Sequence, residues 1–161
     1  MNRNPEPPKW GWYDTLFLIV CAIACMLIVP DAKADELRIN YGVNTTHMDS
    51  EHYNETNHLV AIEYNNWLVA TFQNSHYTQS YAVGGSYSLY TKSIFELDIL
   101  GGVMYGYSPE QVPTCLENKL CLFVAPRLTA NYKLNSDWSL NASTMLFGNA
   151  VITTVGVTWR F

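Results

Sequence analysis

His47, Asn74 and Ser75 are the residues of this chain whose types could carry out chemistry. His47 opens a polar segment that runs to Glu55, and Asn74-Ser75 begins a second polar segment. A serine hydroxyl becomes an effective nucleophile when a neighbouring base, usually histidine, takes its proton. Asn74 could orient the imidazole, as asparagine does in some cysteine proteases. Polar residues are also ordinary in loops, so the prediction of a catalytic site depends on whether the fold brings the two segments together.

Metal ligation and disulfide formation are the other chemistries that these residues allow. His52, His58 and His76 lie near the same segments, but no paired spacing on a regular element supports a metal site, and no cofactor is expected. Cys115 and Cys121 are six positions apart in a polar stretch. In an oxidising compartment such a pair is predicted to form a loop disulfide.

After residue 35, apolar and polar residues alternate with a period of two, which predicts strands rather than helices. The clearest case is the last segment, where Val151, Val155, Val157, Trp159 and Phe161 share one face. The whole pattern predicts eight strands, at about 36–43, 58–65, 67–73, 80–90, 95–105, 122–134, 138–147 and 150–161.

Short connections alternate with longer ones at 44–57, 74–79 and 106–121, which places all three long connections at one end of the sheet. We therefore predict an all-β fold, an eight-stranded antiparallel transmembrane β-barrel. A soluble β-sandwich is the structural alternative. In the barrel, His47 and Ser75 lie on the same outer rim.

Composition and the first residues indicate export to a membrane. The 161 residues include only 14% charged ones against 14% aromatic ones, and the net charge is −5, which argues against nucleic acid as a partner. An apolar run before Pro30 is followed by Ala32-Lys33-Ala34, which predicts a signal peptide over 1–34, cleaved after Ala34. A retained signal anchor is the alternative. Residues 35–161 would then form one domain, a monomer placed in the outer membrane of a Gram-negative-type cell by that membrane's assembly machinery.

The strand faces that point away from lipid predict a lumen divided by height. The periplasmic half holds three cations, Arg38, Arg127 and Arg160, which Glu96 and Asp98 could pair. The outer half is apolar, and it is either ordinary core packing or a pocket for a hydrocarbon chain, with Gly84 and Gly102 leaving room. Its predicted lining is Leu100, Met104, Phe123, Ala125, Met145 and Ile152.

Pro126 is out of place inside the sixth strand, because proline removes a hydrogen-bond donor from the sheet. It predicts either a bulge or a gap in the wall through which lipid could enter sideways.

Four blocks of sequence occur in an order that resembles the lipid A palmitoyltransferase PagP family. They are His47 with Tyr53-Asn54-Glu55, then 66–75 (NWLVATFQNS), then 95–103 (FELDILGGV), and the closing Trp159-Arg160-Phe161. Members of that family are eight-stranded barrels that move a palmitoyl chain from a phospholipid to lipid A. The resemblance implies His47 and Ser75 as catalytic residues and Pro126 as a lateral access point.

The chain departs from the family in two respects. Asn74 stands where the family has an aspartate, and only Asp35 and Glu36 separate the predicted cleavage site from the first strand, where the family has an amphipathic helix. The resemblance also places the floor that measures acyl length near Ser86.

Three functional hypotheses follow. The first is an outer-membrane acyltransferase that takes a fatty acyl chain from phospholipid and transfers it to lipid A. The second is a non-enzymatic barrel whose outer loops bind a partner or protect the surface. The third is a lipid A deacylase, which lacks support because no closely spaced His-x-Ser is present.

Overall fold

The computed structural model describes residues 35–48 and 53–161, which form a closed antiparallel barrel of eight strands in sequential order. The predicted signal peptide lies outside the described residues. Within the described part of the chain, no helix is long and apolar enough to cross a membrane. The strands are β1 (Glu36–His47), β2 (Val60–Tyr64), β3 (Trp67–Gln73), β4 (Gln79–Lys92), β5 (Phe95–Tyr105), β6 (Leu120–Lys133), β7 (Trp138–Phe147) and β8 (Ala150–Arg160).

The barrel closes through β1 and β8, which pair from Glu36–Arg160 at the periplasmic end to His47–Ala150 at the outer end. The strand is four residues longer than predicted, so His47 is the last residue of β1 rather than a loop residue. β2 is shorter than predicted, and residues 53–59, which precede it at the outer rim, form no regular secondary structure. Closure leaves no free sheet edge between these two strands to face lipid.

Alternation along the strands separates an apolar outside from a mixed lumen, as predicted. The outer wall exposes large apolar side chains in a continuous belt, which is what a lipid-facing barrel surface requires. The belt includes Ile39, Val43, Val60, Ile62, Val69, Val83, Leu97, Ile99, Leu122, Val124, Leu128, Leu140, Leu146, Val155 and Val157. Aromatic rings mark its periplasmic edge, where Trp159 stacks on Trp138 and packs against Phe161, and Phe161 stacks on Tyr64. The barrel is therefore a transmembrane one.

Inside, the periplasmic half is a network of ion pairs. Arg127 is 3% exposed and bridges Glu63 on β2 and Asp98 on β5. Arg38 binds Glu96 and Glu36, each at 2.9 Å between Nη2 and a carboxylate oxygen.

Arg160 binds Glu36 at 2.7 Å. The predicted pairing of arginines with Glu96 and Asp98 is confirmed for Arg38 and Arg127, but Arg160 pairs with Glu36 instead. Glu36 and Glu63 were not predicted as partners.

The Arg127 network generates the first prediction. Arg127→Met leaves Glu63 and Asp98, which are 5% and 1% exposed, without their shared cation, and removing one partner of a buried ion pair costs about 3–5 kcal/mol. We expect the free energy of unfolding, measured by urea titration in lipid vesicles, to fall by that amount. Lys133→Met, which removes an exposed cation from the same strand, is the control. Equal stability of the two variants would contradict the prediction.

Candidate functional site

His47 and Ser75 meet at the outer rim, as the sequence analysis predicted. The Nε2 atom of His47 lies 2.8 Å from the Ser75 hydroxyl, a hydrogen-bond distance. His47 extends from the end of β1, and Ser75 lies in the turn that joins β3 to β4. A serine hydroxyl bonded to an imidazole nitrogen is the arrangement in which the imidazole can act as a general base.

The segment over the rim fixes this pair. The backbone N–H of Asn54 donates to the Ser75 carbonyl at 2.9 Å, and the Thr45 N–H donates to the Glu55 carbonyl at 3.1 Å. The side chain of Asn54 is 6% exposed and donates to Gln73 and to the Asn74 carbonyl. Residues 53–57 therefore tie β1 to the turn that carries Ser75.

A chain of aromatic ring contacts runs beside Ser75, from His47 to Tyr107. Tyr53 packs on the His47 ring with centroids 4.4 Å apart, and His76 meets the edge of Tyr53 at 5.5 Å. Tyr107 meets His76 edge-on at 6.3 Å. Tyr107 is 6% exposed. Burial raises the pKa of the Tyr107 phenol above its ordinary value, and hydrogen bonding with Ser75 offsets only part of that rise.

Asn74 does not orient His47. Its side-chain oxygen accepts the backbone N–H groups of His76 and Thr78, and its amide donates to Ser80 Oγ and to the Gly106 carbonyl. The side chain is 1% exposed, and its oxygen and its nitrogen both form hydrogen bonds that hold the turn and the β5–β6 loop in place. No described residue hydrogen-bonds the other ring nitrogen of His47, Nδ1, which is buried.

Below the Ser75–His47 pair, the upper lumen contains a cavity of about 500 Å³, within the range of roughly 300–1,000 Å³ common for ligand pockets. Its rim includes His47, Ser75 and Tyr107, and its floor is formed by polar residues of the ion network, among them Glu63 and Arg127. Six of the predicted pocket residues line it: Leu100, Met104, Phe123, Ala125, Met145 and Ile152.

The other three predicted pocket residues do not line the cavity. Gly84 faces Gly102 across β4 and β5, and a Cβ on either would collide with the backbone of the facing strand. These glycines allow two strands to approach closely and leave no room for a ligand. Ser86 donates its N–H to the Asn66 carbonyl at the periplasmic turn, because β3 begins at Trp67, opposite Gly85. Ser86 is therefore not the cavity floor.

Pro126 marks the place where β6 loses its neighbour. β6 pairs with β7 only from Arg127 to Lys133, although it pairs with β5 up to Leu120. The N–H groups of even-numbered residues such as Leu122 face the β7 side, so the donor that proline lacks falls on the unpaired edge. The cavity reaches this edge, because it is lined by Val124 on the outward face as well as by Phe123 on the inward face.

The loop between β5 and β6 covers the rest of that edge. Thr114 accepts the N–H of Leu122 at 3.4 Å and donates its hydroxyl to the Leu122 carbonyl at 2.8 Å, and Leu116 donates to the Leu120 carbonyl at 2.7 Å. The predicted disulfide between Cys115 and Cys121 is confirmed and holds this loop on β6. The gap is thereby restricted to the few residues around Val124 and Pro126.

Asn74 generates the second prediction. Asn74→Asp introduces the aspartate that the PagP family has at this position. The substitution removes both amide donors and places a carboxylate oxygen next to the Gly106 carbonyl, which it repels. Leaving a buried polar group unsatisfied costs about 1–3 kcal/mol, so we expect the variant to be less stable by that amount in urea titration. The control is Asn135→Asp, because Asn135 uses its side-chain oxygen as an acceptor in an exposed turn. A more stable Asn74→Asp protein would show that the amide donors of Asn74 do not stabilise the turn.

Comparison with known proteins gives similarities of structure. No protein-family model matches the chain, and no curated protein matches it in sequence. Among solved structures, the chain is similar to the designed transmembrane barrel TMB2.3 (12% identity, 81% of this chain and 95% of that one, TM-score 0.46). A second de novo designed transmembrane β-barrel is 13% identical over 83% of this chain and all of that one, with a TM-score of 0.48. Ail, the attachment invasion locus protein of Yersinia pestis, is 11% identical over 82% of this chain and all of that one, with a TM-score of 0.46. Identities this low carry no activity to this chain, and the resemblance to PagP remains one of sequence motifs.

Proposed function

We propose that this protein is an outer-membrane acyltransferase that moves a fatty acyl chain from a phospholipid to a hydroxyl group of lipid A. The observation that carries the proposal is the Ser75–His47 hydrogen bond, at 2.8 Å, on the rim of an apolar cavity of about 500 Å³. An enzyme that acts on a lipid ester needs a nucleophile with its base, and beneath them a cavity that can hold the hydrocarbon chain. The motifs shared with PagP point to the same reaction.

The cavity explains how the acyl chain is selected and held. Each buried CH₂ group contributes about 0.8 kcal/mol of binding free energy, so a cavity lined by Leu100, Met104 and Phe123 favours a hydrocarbon chain over water. The polar floor at Glu63 and Arg127 limits the depth, because a hydrocarbon terminus gains nothing from contact with an ion pair. The ester at the top of the chain is then held near Ser75.

The chemistry proceeds in two balanced steps. In the first, Nε2 of His47 takes the Ser75 proton as Oγ bonds to the ester carbonyl carbon; the intermediate expels the lysophospholipid alkoxide, which receives that proton. In the second, a lipid A hydroxyl gives its proton to His47 and attacks the acyl-serine. Ser75 leaves and regains a proton from His47, and the acyl chain is now on lipid A.

The pairing between β1 and β8 prepares His47 for this role. His47 pairs with Ala150, so the sheet holds its backbone, and Tyr53 packs on its ring. A base in a fixed position avoids the entropic cost of assembling the reacting groups.

Substitution of the pair tests the function. We expect Ser75→Ala and His47→Ala each to lower acyl transfer by at least about a thousandfold, as loss of a nucleophile or its base does in serine hydrolases. The measurement is mass spectrometry of lipid A from cells that express each variant, where one added acyl chain is expected only with the unsubstituted protein. Ser88→Ala, at the exposed periplasmic end of β4, is the control. A folded, membrane-inserted barrel that adds no acyl mass to lipid A would overturn the proposal.

Substitution of Pro126 tests whether the phospholipid donor enters the cavity through the unpaired edge of β6. Pro126→Val supplies an N–H toward β7, which allows the two strands to pair further and narrows the opening. We expect transfer from a long-chain phospholipid to slow roughly tenfold, about 1.4 kcal/mol of activation free energy, while hydrolysis of a short-chain, water-soluble ester is unchanged. Equal loss with both substrates would show that the substitution damages the site rather than the entrance.

A further inference from the structure

Tyr107 is the buried polar residue beside Ser75 for which the two-step chemistry has no role. It follows Gly106 at the start of the β5–β6 loop, lines the cavity and is 6% exposed. Its ring meets His76, the residue after Ser75, edge-on with centroids 6.3 Å apart, and Ser75 lines the same cavity. The His47 imidazole and the Tyr107 phenol therefore both lie beside Ser75.

The fold holds Tyr107 firmly in this place. Gly106 accepts the Asn74 amide at 3.1 Å through its carbonyl and donates its N–H to the Lys119 carbonyl at 3.1 Å. Its φ of +126° is a conformation that residues other than glycine rarely adopt, and a Cβ there would collide with Ser80. Since Asn74 precedes Ser75 and bonds to the residue before Tyr107, one buried amide sets the positions of the nucleophile and the phenol together.

The direction of the hydrogen bonds follows from the chemistry. A base at His47 Nε2 must accept the only proton of the Ser75 hydroxyl, so Ser75 Oγ can only accept from other partners. The Tyr107 hydroxyl can donate to it, and a phenol inside an apolar site keeps its proton at neutral pH. When Oγ bonds to the ester carbon, the negative charge moves to the carbonyl oxygen, which is two bonds from Oγ.

We propose that Tyr107 is a catalytic residue whose hydroxyl donates a hydrogen bond to the oxyanion of the tetrahedral intermediate. The inference rests on the proposed Ser75 acyl transfer. The phenol keeps its proton throughout: it stabilises the oxyanion as the carbonyl π electrons move onto oxygen, and the bond weakens as the carbonyl re-forms and the leaving group departs. A donor aimed at charge that develops only in the transition state raises kcat rather than substrate affinity.

Tyr107→Phe tests the proposal because it removes only the hydroxyl and keeps the ring against His76. Loss of one oxyanion donor lowers kcat by about 100-fold or more, so we expect that decrease in transfer from phosphatidylcholine to lipid A in detergent micelles, with KM within about twofold of the unsubstituted value. An alkylboronic acid, which forms a tetrahedral adduct with the serine, should lose affinity by a similar factor. Tyr105→Phe, an outward-facing tyrosine on β5, is the matched control and should change neither quantity.

The outcomes separate this inference from the proposed function. An unchanged kcat in Tyr107→Phe, together with a Ser75→Ala protein that is inactive, would overturn the role of Tyr107 and keep the transferase. Activity in Ser75→Ala would overturn both.

If Tyr107→Phe fails to insert, fluorotyrosine placed at position 107 keeps the ring and the hydroxyl but lowers the pKa of the phenol. The alkaline limb of the kcat–pH profile should then move to lower pH, because the ionised phenol cannot donate. A limb that does not move would overturn the role of Tyr107, since a tyrosine that only packs has no reason to appear in the profile.

Discussion

The ion pairs of Arg127 are the interaction on which the interior of this barrel depends. The guanidinium reaches from β6 to Glu63 on β2, across the lumen, and to Asp98 on the adjacent β5. A charge this deeply buried is tolerated only when it is paired and hydrogen-bonded. Because the pairing fixes where the polar base ends, it also fixes where an apolar cavity can begin. The depth of the cavity and the stability of the barrel are therefore two consequences of one contact.

The same strand carries the weakest part of the wall. Immediately beyond Arg127, β6 reaches Pro126 and loses its pairing with β7. A free strand edge in lipid is costly because its backbone groups lack partners. The chain limits that cost in two ways: proline removes one donor, and the disulfide-held loop covers Leu120 and Leu122. The opening is thus placed beside the cavity and kept small, while Arg127 anchors β6 from the inside.

Alternation in the sequence was sufficient to predict the barrel, the inward residues of β5 to β8 and the meeting of His47 with Ser75. Glu63 could have been found by the same reasoning, since it alternates with the outward-facing Ile62 and Tyr64 and so points into the lumen. Gly84, Gly102 and Ser86 could not be assigned correctly, because the close approach of β4 to β5 and the pairing of Trp67 with Gly85 are properties of register. Tyr107 lies in a loop, where no periodicity relates a side chain to its neighbours. Register and loop conformation are set by contacts between distant segments, which spacing along the chain does not encode.

Asn74 has a structural role that an aspartate at the same position would not fill. In a catalytic triad, the residue at this position would accept a hydrogen bond from the imidazole and orient it, and an aspartate could do so. Here the position is 1% exposed and must supply two acceptor contacts and two donor contacts, which a carboxamide provides and a carboxylate does not. Orientation of His47 is supplied by the sheet at Ala150 and by the Tyr53 ring instead. A base held by a strand end needs less help from a third polar group than a base on a mobile loop, so the amide is free to fix the turn that presents Ser75.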